Sequence, residues 1–163
     1  MDASLLDEIA AAMIAEAPPR DAARALDVEA GLGALTLRLA RAVGAGRVDA
    51  LDGSKAIVAA LKARLAVKKL ANVDARVGDA DALPFVERTF DAAYWINAGS
   101  DAARGAVLVE MRRVLKPGAR AAVAANDAAE RQEIVDEMEV AGFDELATHA
   151  VNGTAAFIVV GIA

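Results

Sequence analysis

The chain of 163 residues is long enough to bury one sizeable core and too short for two ordinary domains, so we expect one domain over residues 1–163. A net charge of −6, without a long run of Lys or Arg, argues against nucleic acid as a partner. With no cysteine and a single histidine, His149, the chain excludes a disulfide and leaves little to bind a metal, so no metal site is expected.

Residues 1–20 predict a short helix that covers the domain. Ser4 can cap this helix, and Leu5, Ile9 and Met13 form its apolar stripe. The segment is acidic and lacks a basic start followed by an apolar signal core, so we expect a cytoplasmic protein. No stretch approaches 18 uninterrupted apolar residues, which argues against a transmembrane helix.

From Ala22 onward, short apolar runs alternate with helical stretches, which is typical of βαβ units. Strands are predicted near 24–29, 47–51, 73–77, 91–96 and 119–125, with helices near 33–43, from Ser54, after a cap at Asp101, and after Asp127. The helix that follows Ser54 is predicted to bury Ile57, Leu61 and Leu65.

The C-terminal third contains three turn signals. Gly118 in "LKPGAR" is suited to a positive φ, Asp127 with Glu130 has the spacing of a capping box, and Asn152–Gly153 predicts a two-residue type I′ hairpin. The expected fold is therefore α/β, a Rossmann-like doubly wound seven-stranded sheet that is mostly parallel and ends in an antiparallel hairpin.

The stretch "ALDVEAGLGALTLRLA", residues 25–40, predicts a strand, a glycine turn and a helix. Gly31 and Gly33 would let the backbone approach a ligand closely, although a tight turn without a ligand has the same pattern. About twenty residues further on, Asp52 ends the second strand, where a carboxylate can accept hydrogen bonds from ribose hydroxyls. A turn or cap before Ser54 is its alternative role, but the two features together favour a ribose-bearing cofactor.

A nicotinamide dinucleotide would share these features. Its fingerprint has a further Gly or Ala three residues beyond Gly33, and Thr36 stands there instead, which argues against an NAD-dependent oxidoreductase. A selective response to NAD(P)H would favour that class of enzyme.

Six segments, in order from about Ala22 to the C-terminus, resemble the class I S-adenosylmethionine-dependent methyltransferases, especially the methylases of ubiquinone and menaquinone biosynthesis. They are "LDVEAGLG", "VDALDGS", "VGDADALPF", "FDAAYW", "EMRRVLKPGAR" and "AGF". The resemblance implies S-adenosylmethionine as the cofactor. The candidate cofactor-binding residues are Asp27, Glu29, Gly31, Gly33, Asp52, Asp79, Ala80 and Trp95.

The resemblance also implies roles for individual residues. Gly31 and Gly33 shape the loop on the methionine side, and Asp52 holds the ribose. Asp79 accepts a hydrogen bond from the adenine amino group and Ala80 lies beside the ring, because an exocyclic amine donates and a carboxylate accepts. Alternatively, Asp79 is a turn residue without a role in cofactor binding.

Other candidates lie near the end of the fourth strand, where cofactor and acceptor meet in the family. Trp95 is there, although an aromatic residue at this place often belongs to the core. Asn97 could bind the acceptor or cap a loop. Residues 83–85 are assigned to packing and His149 to structure.

Glu29 departs from the family pattern, which usually has glycine at this position. Its carboxylate would either crowd the loop and repel the carboxylate of the cofactor, or accept a hydrogen bond from the cofactor's ammonium group. A second departure is the short connection "ANDAAE" after the fifth strand, which predicts an acceptor pocket that is shallow or completed by another chain.

These observations predict S-adenosylmethionine-dependent methyl transfer to a small-molecule acceptor. No catalytic residue is identified, since the sulfonium is already activated and the protein mainly aligns it with the acceptor. The alternative is a non-catalytic methyltransferase-like domain that acts in partner binding or assembly. Either function is compatible with a homo-oligomer.

Overall fold

The computed structural model describes residues 2–96 and 103–163, so Asn97 and Asp101 lie outside the described residues. The strands are β1 (Arg24–Val28), β2 (Arg47–Asp52), β3 (Val73–Val77), β4 (Phe90–Ile96), β5 (Leu115–Ala125), β6 (Asp144–Ala150) and β7 (Phe157–Ile162). The helices are α1 (Ala3–Glu16), α2 (Ala34–Ala42), α3 (Lys55–Val67), α4 (Arg104–Val114) and α5 (Arg131–Val140), with a 3₁₀ turn at Ala128–Glu130.

The strands form a seven-stranded sheet in the order β3-β2-β1-β4-β5-β7-β6. β1 to β5 pair in parallel, and β7 runs antiparallel to both β5 and β6. The predicted α/β sheet with an antiparallel C-terminal hairpin is therefore confirmed. The chain proceeds outward from β1 to β3 and then returns to β4, so the order reverses between β1 and β4, where open sheets of this kind bind ligands.

Helices cover both faces of the sheet. α1 and α2 pack on one face and α4 and α5 on the other, each over its own apolar cluster. Residues 78–89 join β3 to β4 without a helix, and there Leu83 is buried and the Phe85 ring packs edge-on against Phe90 at 4.8 Å, as predicted. No helix in the described ranges is long and apolar enough to cross a membrane.

The cover helix α1 is held at its C-terminal end. The Tyr94 hydroxyl on β4 donates to the Ala17 carbonyl at 2.6 Å, and His149 Nδ1 on β6 lies 2.9 Å from Glu16 Oε2. These two contacts attach the end of α1 to β4 and β6.

The start of α1 and the buried face of α3 differ from the prediction. Asp2 caps α1, because its carboxylate accepts a hydrogen bond from Leu5 N at 2.9 Å, and Ser4 lies inside the helix. On α3, Val58 is buried in the place predicted for Ile57. The buried residues Val58, Leu61 and Leu65 are spaced by three and then four residues. This spacing matches 3.6 residues per helical turn better than the predicted steps of four.

The predicted capping box at Asp127 is wrong. Asp127 accepts from Ala129 N at 2.9 Å and caps the 3₁₀ turn, whereas the Glu130 carboxylate lies 3.3 Å from Arg104 Nη1. Arg104 is 1% exposed, and three acidic side chains from the 3₁₀ turn and α5 surround its guanidinium. The buried cation therefore draws Glu130 away from the helix start.

The C-terminal hairpin forms with a longer loop than predicted. Residues 151–156 connect β6 to β7, and Gly153 has a φ of +77° while Asn152 has no positive φ, so the turn is not type I′. The Thr154 hydroxyl donates to the Val151 carbonyl at 2.8 Å and accepts from Ala156 N at 3.0 Å. These side-chain hydrogen bonds support the wider connection. At the other predicted turn, Gly118 does have a positive φ of +77°, although β5 already begins before it.

Candidate functional site

The loop of residues 29–33 joins β1 to α2, and its two glycines serve different purposes. Gly31 has a φ of +55°, and a Cβ built on it meets no atom within 4 Å. Gly33 has a φ of +84°, and a Cβ there would lie 2.5 Å from Leu61 Cδ1 on α3. Gly31 therefore leaves the loop open to its surroundings, whereas a side chain at Gly33 would press on Leu61 where α2 packs against α3 and would also adopt an unfavourable positive φ.

Asp52, at the end of β2, joins this loop to the start of α3. Its Oδ2 accepts from Gly31 N at 3.0 Å and its Oδ1 from Ser54 N at 2.9 Å. The hydrogen bond with Ser54 N agrees with the alternative prediction that Asp52 is a turn residue. The hydrogen bond with Gly31 N brings the same carboxylate to the glycine loop. Each carboxylate oxygen has a second acceptor position, so Asp52 can still accept hydrogen bonds from a ligand.

Asp27 lies within β1, beneath the loop, and is 2% exposed. Burial raises the pKa of its carboxyl to about 7, a hydrogen bond from the Thr36 hydroxyl at 2.5 Å opposes that rise, and the charge of Asp52 adds to it. Thr36, the residue that breaks the dinucleotide fingerprint, thus has a partner inside the protein.

Glu29 and Trp95 meet where the strand order reverses. Val28 pairs with Trp95 across β1 and β4, and the next residue, Glu29, accepts a hydrogen bond from Trp95 Nε1 at its Oε2, 2.7 Å away. Trp95 is 4% exposed, while Glu29 is exposed. The backbone of Glu29 has a φ of +54°, a conformation that non-glycine residues seldom adopt.

Asp79 and Ala80 follow β3, next to the end of β2. Gly78 N donates to the Asp52 carbonyl at 3.2 Å, which fixes the start of this segment beside Asp52. Asp79 is exposed, and its carboxylate has no hydrogen-bond or ion-pair partner within residues 2–96 and 103–163. Ala80 is partly buried against the core. The segment therefore offers the unpartnered carboxylate of Asp79, followed by the small apolar side chain of Ala80.

A cavity of about 720 Å³ lies in front of the glycine loop, between α1 and α2 and extending toward α3. Its lining includes three of the predicted residues, Asp27, Glu29 and Gly31. Among the described residues, the other predicted ones lie outside this lining. They are Gly33, Asp52, Asp79, Ala80 and Trp95.

Sequence reasoning missed the cationic wall of the cavity. Arg38 and Arg41 on α2, Arg64 on α3, and Lys68 directly after α3 line it. Arg38 pairs with Asp7 of α1 at 2.7 Å. The spacing of three residues between Arg38 and Arg41 on one helix was the available signal.

A doubly wound sheet that ends β1 in a glycine loop and β2 in an acid defines a Rossmann-like protein that binds a nucleotide-type cofactor. The family model described as "Methyltransferase domain" matches residues 25–118, which is more than half of the chain. The chain therefore belongs to the class I S-adenosylmethionine-dependent methyltransferase family, as its sequence motifs predict.

Relatives and solved structures agree with this assignment. The chain is 42% identical over 106 residues to a 2-phytyl-1,4-naphtoquinone methyltransferase of Synechococcus elongatus, a match that covers 61% of this chain and 44% of that protein. It is 36% identical over 105 residues to a ubiquinone/menaquinone biosynthesis C-methyltransferase of Ruegeria, covering 63% and 42%. The chain thus matches less than half the length of these relatives.

Among solved structures, a SAM-dependent methyltransferase from Aquifex aeolicus superposes with a TM-score of 0.85 at 23% identity, covering 99% of this chain and 93% of that one. At this identity the likeness establishes the fold.

Proposed function

We propose that this chain binds S-adenosylmethionine along the carboxyl ends of β1 to β4 and transfers its methyl group to a small-molecule acceptor. The hydrogen bond from Gly31 N to Asp52 Oδ2 carries the proposal, since it joins the glycine loop to the acid at the end of β2. When bound, the cofactor supplies a methyl group already activated on a sulfonium. The protein's contribution is then to bind, orient and exclude water.

The residues present fit this cofactor. Gly31 leaves open space beside the loop, Asp52 retains acceptor positions for ribose hydroxyls, and the unpartnered Asp79 carboxylate can accept from the adenine amino group. Ala80 offers a small apolar surface next to that carboxylate. An adenosine has three donor groups, two ribose hydroxyls and an amino group, and Asp52 and Asp79 offer acceptors for them at the ends of two neighbouring strands.

We propose a quinone-type acceptor. The two relatives named above are quinone methyltransferases, and the cavity lining includes the apolar side chains of Leu6, Leu35 and Ile96. A flat aromatic ring suits such a lining, which gains by removing apolar surface from water. The two relatives named above are methyltransferases and offer no support for the alternative of a non-catalytic domain.

Transfer of a labelled methyl group tests the proposal. The protein is incubated with S-adenosylmethionine labelled in the methyl group and a short-chain 1,4-naphthoquinone, with and without a reductant, and label is measured in the organic extract. We expect label in the extract with the wild-type protein, reduced at least tenfold by Asp52→Asn. Glu145→Gln, which removes an exposed carboxylate on β6, serves as the matched control.

Two results would contradict the proposal in different ways. If the protein binds the cofactor but no label reaches this acceptor or a panel of phenols, the non-catalytic alternative is favoured. If label is transferred equally well by the Asp52 variant, the site lies elsewhere.

A further inference from the structure

Glu29 places a carboxylate where the strand order reverses, between β1 and β4. We infer that this carboxylate makes the site bind S-adenosylmethionine, whose sulfonium is positively charged, more tightly than the product S-adenosylhomocysteine, whose thioether sulfur is uncharged. This inference rests on the proposed function and deepens it. It makes Glu29 a specificity-determining residue of the cofactor site.

The first step is the order of the acidic residues along the sheet edge. Asp79 follows β3, Asp52 ends β2, and Glu29 follows β1 in contact with β4, which is also their order across the sheet. A ligand with its adenine at Asp79 and its ribose at Asp52 continues in the same direction toward Glu29. The sulfur is the next group along such a ligand after the ribose.

The second step is that Glu29 is held in place. Trp95 Nε1, on a nearly buried side chain, donates to Glu29 Oε2 at 2.7 Å and so anchors one carboxylate oxygen. The other oxygen has no partner in the described part of the chain. The backbone of Glu29 has a φ of +54°, which a glycine would adopt freely, and Glu145 shares this conformation.

The third step is charge. Cofactor and product share their ammonium and carboxylate groups and differ by one positive charge at sulfur, so a carboxylate a few ångströms from that atom attracts the sulfonium and not the thioether. Arg38 faces the same cavity, but Asp7 pairs with it at 2.7 Å. Arg41 and Lys68 are exposed on its outer wall, where solvent screens them. Arg64 donates to the Leu32 carbonyl at 2.7 Å, and the buried Asp27 accepts from the Thr36 hydroxyl. Glu29 is therefore the exposed carboxylate of the loop that is left to distinguish the two ligands.

The test measures binding of both ligands to the whole protein without turnover. Trp95, the only tryptophan, contacts Glu29, so its fluorescence reports on the site, and calorimetry provides a second readout. S-adenosylmethionine and S-adenosylhomocysteine are titrated into wild type, Glu29→Gln and Glu145→Gln. Glutamine keeps the size and an oxygen acceptor for Trp95 while it removes the charge. Glu145 shares a φ of +53° and lies exposed on β6.

We expect Glu29→Gln to weaken S-adenosylmethionine binding about tenfold and to change S-adenosylhomocysteine binding less than twofold, with both unchanged in Glu145→Gln. Glu29→Gly, which relieves the backbone strain, should lose the same preference. Equal weakening of the two ligands would overturn the inference, because Glu29 would then contact a group they share. Tighter binding of both would also overturn it, because the carboxylate would be an obstruction.

Failure of the proposed function gives a different result. If the wild-type protein binds neither ligand at millimolar concentration, both the proposed function and this inference are contradicted. If it binds both ligands and the Glu29 variants keep the wild-type ratio of affinities, only this inference is contradicted.

Discussion

Asp27 combines nearly complete burial with an ionisable group. Burial raises the pKa of its carboxyl from 3.8 to about 7, although the Thr36 hydroxyl stabilises the charged form. Between pH 4 and pH 7 the folded protein therefore holds a proton that the unfolded chain has released. Because the folded state binds more protons in this window, the free energy of unfolding falls as pH rises through it and levels off above about pH 7.

Asp27→Asn should remove this pH dependence. The free energy of unfolding of the variant, minus that of the wild type, should increase between pH 4 and pH 7.5 by as much as about 4 kcal/mol, since each unit of pKa shift corresponds to 1.36 kcal/mol. Urea unfolding at a series of pH values measures the difference. Parallel stability curves for the two proteins would contradict the assignment.

The two glycines of the loop should respond differently to alanine. Gly33→Ala places a Cβ against Leu61 in a left-handed backbone and should lower the free energy of unfolding by about 2–4 kcal/mol. Gly31→Ala meets open space and should cost only the backbone strain, about 1–2 kcal/mol, while weakening cofactor binding.

Urea unfolding and calorimetric titration of the two glycine variants separate these effects. If Gly33→Ala proved the milder change in stability, the packing role of that glycine would be wrong.

At the scale of elements, one buried hydrogen bond attaches α1 to the sheet. Tyr94→Phe leaves the Ala17 carbonyl without its donor and should lower the free energy of unfolding by about 1–2 kcal/mol. His149→Gln removes a partly exposed contact of Nδ1 with Glu16 near the same end of α1 and should change the free energy of unfolding by less than about 1 kcal/mol. Chemical denaturation compares the two variants, and equal effects would argue against the anchoring role of Tyr94.

The helices, strands and parallel order were predictable because they follow from local periodicity and short connections. Details that depend on contacts between residues distant in the sequence were not predictable. Glu130 has the right spacing for a capping box, yet Arg104 binds it. Likewise, the sequence shows Thr36 only as a departure from the dinucleotide-binding fingerprint. Its hydrogen bond to Asp27 becomes visible only in the folded structure.

The candidate site was predictable to a similar degree. The motif order placed Gly31, Asp52 and Asp79 at neighbouring strand ends, where the structure has them. It did not reveal that Gly33 is needed for the packing of Leu61, nor that Glu29 turns toward Trp95. Both depend on contacts between elements that local spacing does not encode.

At the scale of the molecule, the reversal of strand order between β1 and β4 brings together loops that are far apart in the chain. Glu29 and Trp95 are separated by 66 residues, and Gly31 and Asp52 by 21, yet each pair is joined by a hydrogen bond. The parallel sheet thus brings acceptors together at the ends of β3, β2 and β1, which suits an elongated nucleoside ligand.

Calorimetric titration of the wild-type protein with S-adenosylmethionine, and with NAD for comparison, tests the central claim most directly. We expect saturable binding of one S-adenosylmethionine per chain and no heat with NAD. Asp52→Asn should weaken the former at least tenfold, because it removes the charge that strengthens hydrogen bonds from ribose hydroxyls. Absence of binding at millimolar S-adenosylmethionine, or preferential binding of NAD, would contradict the account.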